Sequence, residues 1–215
     1  RHDRVVVAIQ CGSSVMVPWV DSVAATMVTW YSGVEGGTAL AEVIAGVAEP
    51  AGRLPFVVPT DASHLPDFDR TATAATYDLF HGQWKLDRDG NQAQFPFGWG
   101  LGYSSTTVDD ATLSVDGSAI TVNLTNTGDR ATSTVVFVHG GVESSSFERP
   151  HRRLVGFARG EVDEGGSARL TIELDWSMLD VRADGGWVTE PGTYLLEVGA
   201  QAGDPAAIGL SVERR

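Results

Sequence analysis

The chain has 215 residues, 42% of them hydrophobic and 20% charged, which is enough for one large or two ordinary domains with real cores and too apolar for wholesale disorder. Its 28 Asp and Glu outnumber 15 Lys and Arg, a formal net charge of −13 that repels phosphate backbones and anionic headgroups and so argues against nucleic acid or a membrane surface as partner. The single cysteine, Cys11, allows no internal disulfide and no cysteine-built zinc site.

Residues Arg1–Arg4 lead straight into the apolar run Val5–Ile9, with no initiator Met and no secretory leader, so we expect the chain to begin inside a domain. The run is continuous rather than alternating, which predicts a strand buried on both faces of a parallel sheet. A Gly-Ser-Ser turn follows, and residues 24–30 read as a second buried strand. The turn Ser32–Gly37 then enters a segment, Thr38–Ala45, whose Leu40, Val43 and Ile44 share one helical face, with Gly46 as its stop. This order of elements is α/β grammar. Beyond Gly46 the prolines at 50, 55, 59 and 66 predict a long irregular stretch. Its aromatic residues Trp84, Phe95, Phe97, Trp99 and Tyr103 mark it as packed rather than loose.

From about residue 108 the pattern changes to short alternating runs: 113–115, 120–124, 135–138, 154–157, 168–174, 193–198 and 208–212. Turn signals such as Asn126-Thr127-Gly128-Asp129 and Asp184-Gly185-Gly186 separate them. Seven short strands so spaced predict an immunoglobulin-like β-sandwich. We place the boundary near Thr107, dividing the chain into 1–107 and 108–215. No flexible spacer intervenes, so the two parts should pack together.

Several strings carry a family likeness. In the first part these are Val5–Ser13, Val17-Pro18-Trp19, Trp30–Gly37, Pro50–Pro55 and Phe95–Tyr103. In the second they are Asn126-Thr127-Gly128, Arg149-Pro150 with Leu154–Phe157, and Glu190–Tyr194 closing on Val198-Gly199. Together they resemble the C-terminal end of the α/β-sandwich domain of glycoside hydrolase family 3 followed by its fibronectin type III-like domain. The departures, at Ser14, Ser32, Val34, Gly102 and Ser104-Ser105, fall at turns. The resemblance implies a partial α/β sandwich with a largely parallel sheet, then an all-β fibronectin type III-like sandwich. It also implies a β-glucosidase-like parent that hydrolyses terminal O-glycosidic bonds with retention, without a cofactor, acting on a carbohydrate substrate.

In such enzymes two carboxyl groups about 5–5.5 Å apart act as nucleophile and acid/base. The resemblance places the nucleophile in a barrel that no part of this chain resembles, and the acid/base upstream of its first strand. We therefore expect no catalytic residue here, and the substrate-binding residues, the sugar, the compartment and the oligomeric state stay open. Glu35 is the tempting carboxylate but reads as an acid complementing a helix start. Trp84 and Trp99 suit a sugar-stacking rim, or simply pack the long loop. Arg53 suits a buried carboxylate partner between domains, or caps backbone carbonyls.

Other constellations fade. Ser13 and Ser14 lack a nucleophile elbow. His2, His64, His81, His139 and His151 lack metal-ligand spacing, so no metal is expected. Asp87-Arg88-Asp89-Gly90-Asn91 faintly resembles a calcium loop, but Gly98 stands where the closing acid should be, so a plain turn is expected. Gly98-x-Gly100-x-Gly102 joins no strand to a helix, and Cys11 reads as an inert core thiol. The rival reading is a free-standing carbohydrate-binding or adhesion module in which the sandwich is the functional part.

Overall fold

A computed structural model describes residues 4–183 and 185–214. The chain opens with strand β1 (Val6–Ile9), strand β2 (Ala25–Val28) and helix α1 (Gly36–Ile44). Strands β1 and β2 run parallel, with Val6 opposite Ala25 and Ile9 opposite Val28. A long segment follows, holding β3 (Val58–Pro59), helix α2 (Gln83–Asp89) and β4 (Ala93–Phe95). Strands β3 and β4 pair antiparallel.

The expected largely parallel α/β sandwich is overturned. Strand accounts for 37% of the chain and helix for 12%, and β1–β2 is the one parallel pairing among the described residues. A growing parallel sheet needs a crossover helix for each new strand. After α1 the chain instead meets Pro50, Pro55 and Pro59, which withhold backbone donors, and adds only the two short antiparallel strands. Nor is β1 buried on both faces: Val6 is 45% exposed, and α1 has no buried residue.

The remaining chain forms β5 (Thr106–Leu113), β6 (Ala119–Asn126), β7 (Thr132–Val142), β8 (Arg153–Val162) and β9 (Ser167–Glu173). A small hairpin, β10 (Val181–Ala183) with β11 (Gly186–Val188), precedes β12 (Gly192–Gly199) and β13 (Ile208–Arg214). Two antiparallel sheets result, β5-β6-β9 and β13-β12-β7-β8. Strict alternation along β6 sends Ile120, Val122 and Leu124 inward, where they meet Val136, Val138, Val155, Ile172, Leu196 and Val198. This is the sandwich the alternating runs predict.

Tyr194 is wholly buried on β12. Its hydroxyl donates to the Glu190 carbonyl at 2.6 Å, and Trp176 packs edge-on against its ring. That bond ties the turn before β12 to the core, the corner device of immunoglobulin-like sandwiches. One strand is misplaced by periodicity. The run at 113–115 is the end of β5, and Val115 stands fully exposed in the turn beyond it. A bulge between Val108 and Asp110 breaks the alternation, so the inward set Val108, Ala111 and Leu113 does not read as period two.

Candidate functional site

Two clusters join the first part to the sandwich. In one, Glu49 Oε1 accepts from the Tyr103 and Ser104 amides at 2.8 and 3.0 Å and from Thr132 Oγ1 at 3.1 Å. Arg130 faces Glu49 Oε2 at 3.6 Å, donates to the Gly46 carbonyl at 2.7 Å and lies over the Tyr103 ring. Ser104 Oγ donates to Asn126 Oδ1 at 2.7 Å.

In the other cluster, Asp87 of α2 meets Arg152 Nε at 2.9 Å, an ion pair without hydrogen-bond alignment, and Arg152 also reaches Glu197 at 2.7 Å. Phe97 packs edge-on to Phe137 and His139 of β7, with ring centroids 5.4 and 5.9 Å apart. The Ala202 amide donates to the Phe97 carbonyl at 2.8 Å. The aromatic segment is thus clamped to the outer face of the four-stranded sheet.

The sequence-selected residues scatter rather than converge. Glu35 is exposed at the start of α1, accepting from Thr38 Oγ1 at 3.3 Å. Trp84 lies on α2 between His81 and the Arg153 guanidinium, while Trp99 pairs with Phe95. The two tryptophans therefore serve different packing clusters. Arg53 finds no carboxylate among the described residues; its Nη1 donates to the Gly52 carbonyl at 3.0 Å. Burial and the neighbouring Arg159 charge pull its pKa below the usual value.

Ser14 Oγ donates to the Val57 carbonyl, and Cys11, only partly buried beyond the end of β1, donates to the Ser13 carbonyl. The expectation of a core thiol is corrected accordingly. His64 sits by Thr60 Oγ1, His151 is exposed, and His2 lies outside the described residues. No cluster of three or more His, Cys, Asp or Glu side chains fit for a metal occurs among the described residues.

The stretch 87–91 is the C-terminal end of α2 and its cap, not a free turn. Asp89 accepts from Lys85 and Arg88, whose cations hold its carboxyl down to about 2, and Gly90 closes the helix at φ 69°. A groove of about 410 Å³ between α2 and residues 63–80 is lined by Leu65, Tyr77, Phe80, Lys85 and Arg88. Both cations there are already paired, Lys85 with Asp89 and Arg88 with Asp78 and Asp89. The groove offers an anion no unpaired charge.

At the carboxyl ends of β1 and β2, three segments meet. Trp30 follows β2 with φ 53°, the one positive φ on a non-glycine among the described residues. For a bulky side chain that conformation costs on the order of 1–3 kcal/mol. Its ring meets Phe56 edge-on at 5.3 Å. Tyr31 is 78% exposed, and its ring lies so close over Gly12 that a β-carbon there would sit 2.8 Å away.

Long-range charge pairs are what residue patterns miss, because no local spacing announces them. Glu190 is one. It accepts from Ser145 Oγ at 2.5 Å and from the Ser146 amide and hydroxyl at 2.7 Å, with Arg149 at 3.3 Å. Those bonds and the Arg149 charge hold its carboxyl down to about 2.

His139 is another. It is only 4% exposed, and burial and the Arg152 charge push its pKa down to about 4. Its cross-strand neighbour is Glu197, already committed to Arg152. The folded state therefore binds fewer protons than the unfolded chain between pH 6.5 and 4, and stability falls as pH falls through that window. The expected loss is up to about 3 kcal/mol. Urea midpoints from pH 7.5 to 4 check this, and His139→Gln should flatten the limb. Glu190 and Asp89, held near 2, remain ionised across the window.

Comparison with known proteins agrees along the chain. A family model for the Glycosyl hydrolase family 3 C-terminal domain matches residues 1–103, and one for a Fibronectin type III-like domain matches residues 134–202. A beta-glucosidase of Rhizobium radiobacter is 35% identical over 221 residues, covering 94% of this chain and 27% of that protein. The crystal structure of the Bifidobacterium adolescentis GH3 beta-glucosidase superposes with TM-score 0.87 at 28% identity, over 97% of this chain and 32% of that one. Beta-glucosidase 3B of Thermotoga neapolitana, in complex with alpha-D-glucose, gives TM-score 0.86 at 27% identity, over 98% and 31%. The chain thus spans between a quarter and a third of the length of these relatives. With both halves matched in order, it belongs to glycosyl hydrolase family 3, of which it carries the C-terminal and fibronectin type III-like regions.

Proposed function

We propose that this chain serves a retaining, β-glucosidase-like glycoside hydrolase, with residues 1–107 and 108–215 as its two structural parts. The observation that carries the reading is the match to a β-glucosidase over 94% of the chain. On this reading a terminal β-linked sugar is cleaved by double displacement. The nucleophile and the acid/base come from outside these 215 residues, which hold the cleft wall and lock the domains.

The side-chain chemistry supports that division. Several prominent carboxylates, Glu49, Asp87 and Glu190, are already committed to amides, hydroxyls or arginines as structural ties. A nucleophile or acid/base needs a carboxyl oxygen free to meet the substrate. The experiment compares this chain alone with the chain joined to a family barrel, on an aryl β-glucoside. Turnover is expected only from the joined protein. Ordinary turnover by the chain alone overturns the reading, and sugar binding located on the sandwich would favour the adhesion-module alternative.

A further inference from the structure

We propose, resting on the β-glucosidase reading, that Trp30 and Tyr31 form an aromatic wall that takes the apolar face of a pyranose ring of the substrate. Four observations converge on this corner.

The first is backbone strain. A glycine would remove the cost of the left-handed conformation at position 30, yet the residue there is the bulkiest available. Strain of this kind persists where the surroundings hold a side chain in a set place, and it clusters at ligand-binding positions. The second is location. Trp30 and Tyr31 lie just beyond the carboxyl ends of two parallel strands, the edge at which open parallel sheets receive ligands.

The third is which aromatic faces remain open. Trp84 packs with His81 and Arg153, Trp99 with Phe95 and Trp176 with Tyr194 and Arg214, while Trp187, 66% exposed, has the Arg182 guanidinium over its ring. Tyr31 is 78% exposed and has no aromatic or cationic partner among the described residues, while Trp30 is half-buried and meets Phe56 in a T-shaped contact. Trp19 lies on the segment that leads into the amino end of β2, away from this edge.

The fourth is the rim. Gly12 lies under the Tyr31 ring, the exposed Ser13 follows Gly12 in the chain and the exposed Ser32 follows Tyr31, so small polar residues flank the rings in sequence. An apolar platform edged by a few hydroxyls and amides is what a neutral sugar requires, with C–H groups on its face and hydroxyls around its edge. A phosphorylated or carboxylated ligand would need a cation, and none of these bordering residues carries one.

The test reads binding without turnover. The 215-residue chain, labelled with ¹⁵N, is titrated with cellobiose and with methyl β-D-glucopyranoside. Trp30→Phe identifies the Trp30 indole among the six tryptophans. Saturable shifts are expected at the Trp30 indole and the Tyr31 amide, with Tyr31→Ala weakening binding by about tenfold. Trp30→Phe keeps an aromatic face and should retain binding, read at the Tyr31 amide. Tyr31→Ala alters an exposed side chain and should fold as the parent does. No shift at this corner, or shifts centred on Trp84, Trp99 or Trp187, overturns the proposal. Binding at the corner without hydrolysis by the barrel-joined protein would sink the enzyme reading alone. Hydrolysis without corner shifts would sink the wall alone.

Discussion

Asn126→Asp is expected to lower stability at pH 7 by about 3–5 kcal/mol. For a chain of this size that corresponds to a fall in Tm of roughly 10 °C or more. Asn126 is 1% exposed at the end of β6, and its amide is a hub. Nδ2 donates to the carbonyls of Arg130, Asp163 and Val162 at 2.8, 3.0 and 3.2 Å. Oδ1 accepts from Ser104 Oγ at 2.7 Å and from the Gly128 amide at 3.0 Å. The substitution keeps the shape and the accepting oxygen but turns a donor into a carboxylate oxygen facing three carbonyls.

A buried group so placed is driven to stay protonated, so its folded pKa rises above the unfolded value near 3.9. The variant's deficit must therefore shrink on acidification and grow as pH rises through that folded pKa. Thermal melts of variant and parent at pH 4.5 and 7.5 measure the difference directly. A deficit that is small and independent of pH would mean the hub carries little of the stability. Asn126→Ala should cost less, because it leaves carbonyls unpaired without adding a charge.

Gly98→Ala is the second large effect, at about 3 kcal/mol or more. Gly98 has φ 89°, and an added β-carbon would lie 2.8 Å from the Phe137 ring, 3.0 Å from Gln201 Cα and 3.1 Å from the Ala200 carbonyl oxygen. Two of those three neighbours are backbone, which cannot swing aside. The neighbouring Phe97 would have to lift from Phe137 and His139, exposing the imidazole to water. The variant should then show easier proteolysis between residues 60 and 100. Its acid limb should also flatten, as in His139→Gln, because a His139 with an ordinary pKa binds protons alike in the folded and unfolded states. Gly90→Ala supplies the comparison. It shares the left-handed backbone, with φ 69°, but has nothing within 4 Å of the added carbon, so it should cost only about 1 kcal/mol. Equal losses at the two positions would remove close packing as the cause.

These sites show how far residues alone reach. Most sandwich strands were legible because one face is buried, and burial writes period two into β6 and β12, whereas the bulge in β5 hid its period. Helix α1 was legible from its apolar spacing, and the turn at Asn126-Thr127-Gly128 from its residue types. Helix α2 was not, because Asp87–Asn91 carries turn-forming residues that serve as the helix end and cap. The Gly98-x-Gly100-x-Gly102 triplet joins no strand to a helix in the sequence reading, and the reason for its glycines is tertiary. Gly100 abuts the Gly52 carbonyl and Gly102 the Glu49 carboxylate.

The candidate site divides in the same way. Trp84 and Trp99 drew notice as residue types, yet packing turned both into structural groups. Trp30 and Tyr31 stood inside a family string with nothing in their neighbours to announce a left-handed tryptophan. Motif order thus pointed by itself to the family and alternation to the β-sandwich, while the acidity argued against a nucleic-acid partner. Only the tertiary structure decided that a single parallel pair replaces the expected parallel sheet, and which charges are committed. The physical reason is range. Hydrophobic period and turn chemistry act between neighbours in the chain, whereas Asp87–Arg152, Glu49–Arg130 and Phe97–His139 depend on how distant segments come to rest.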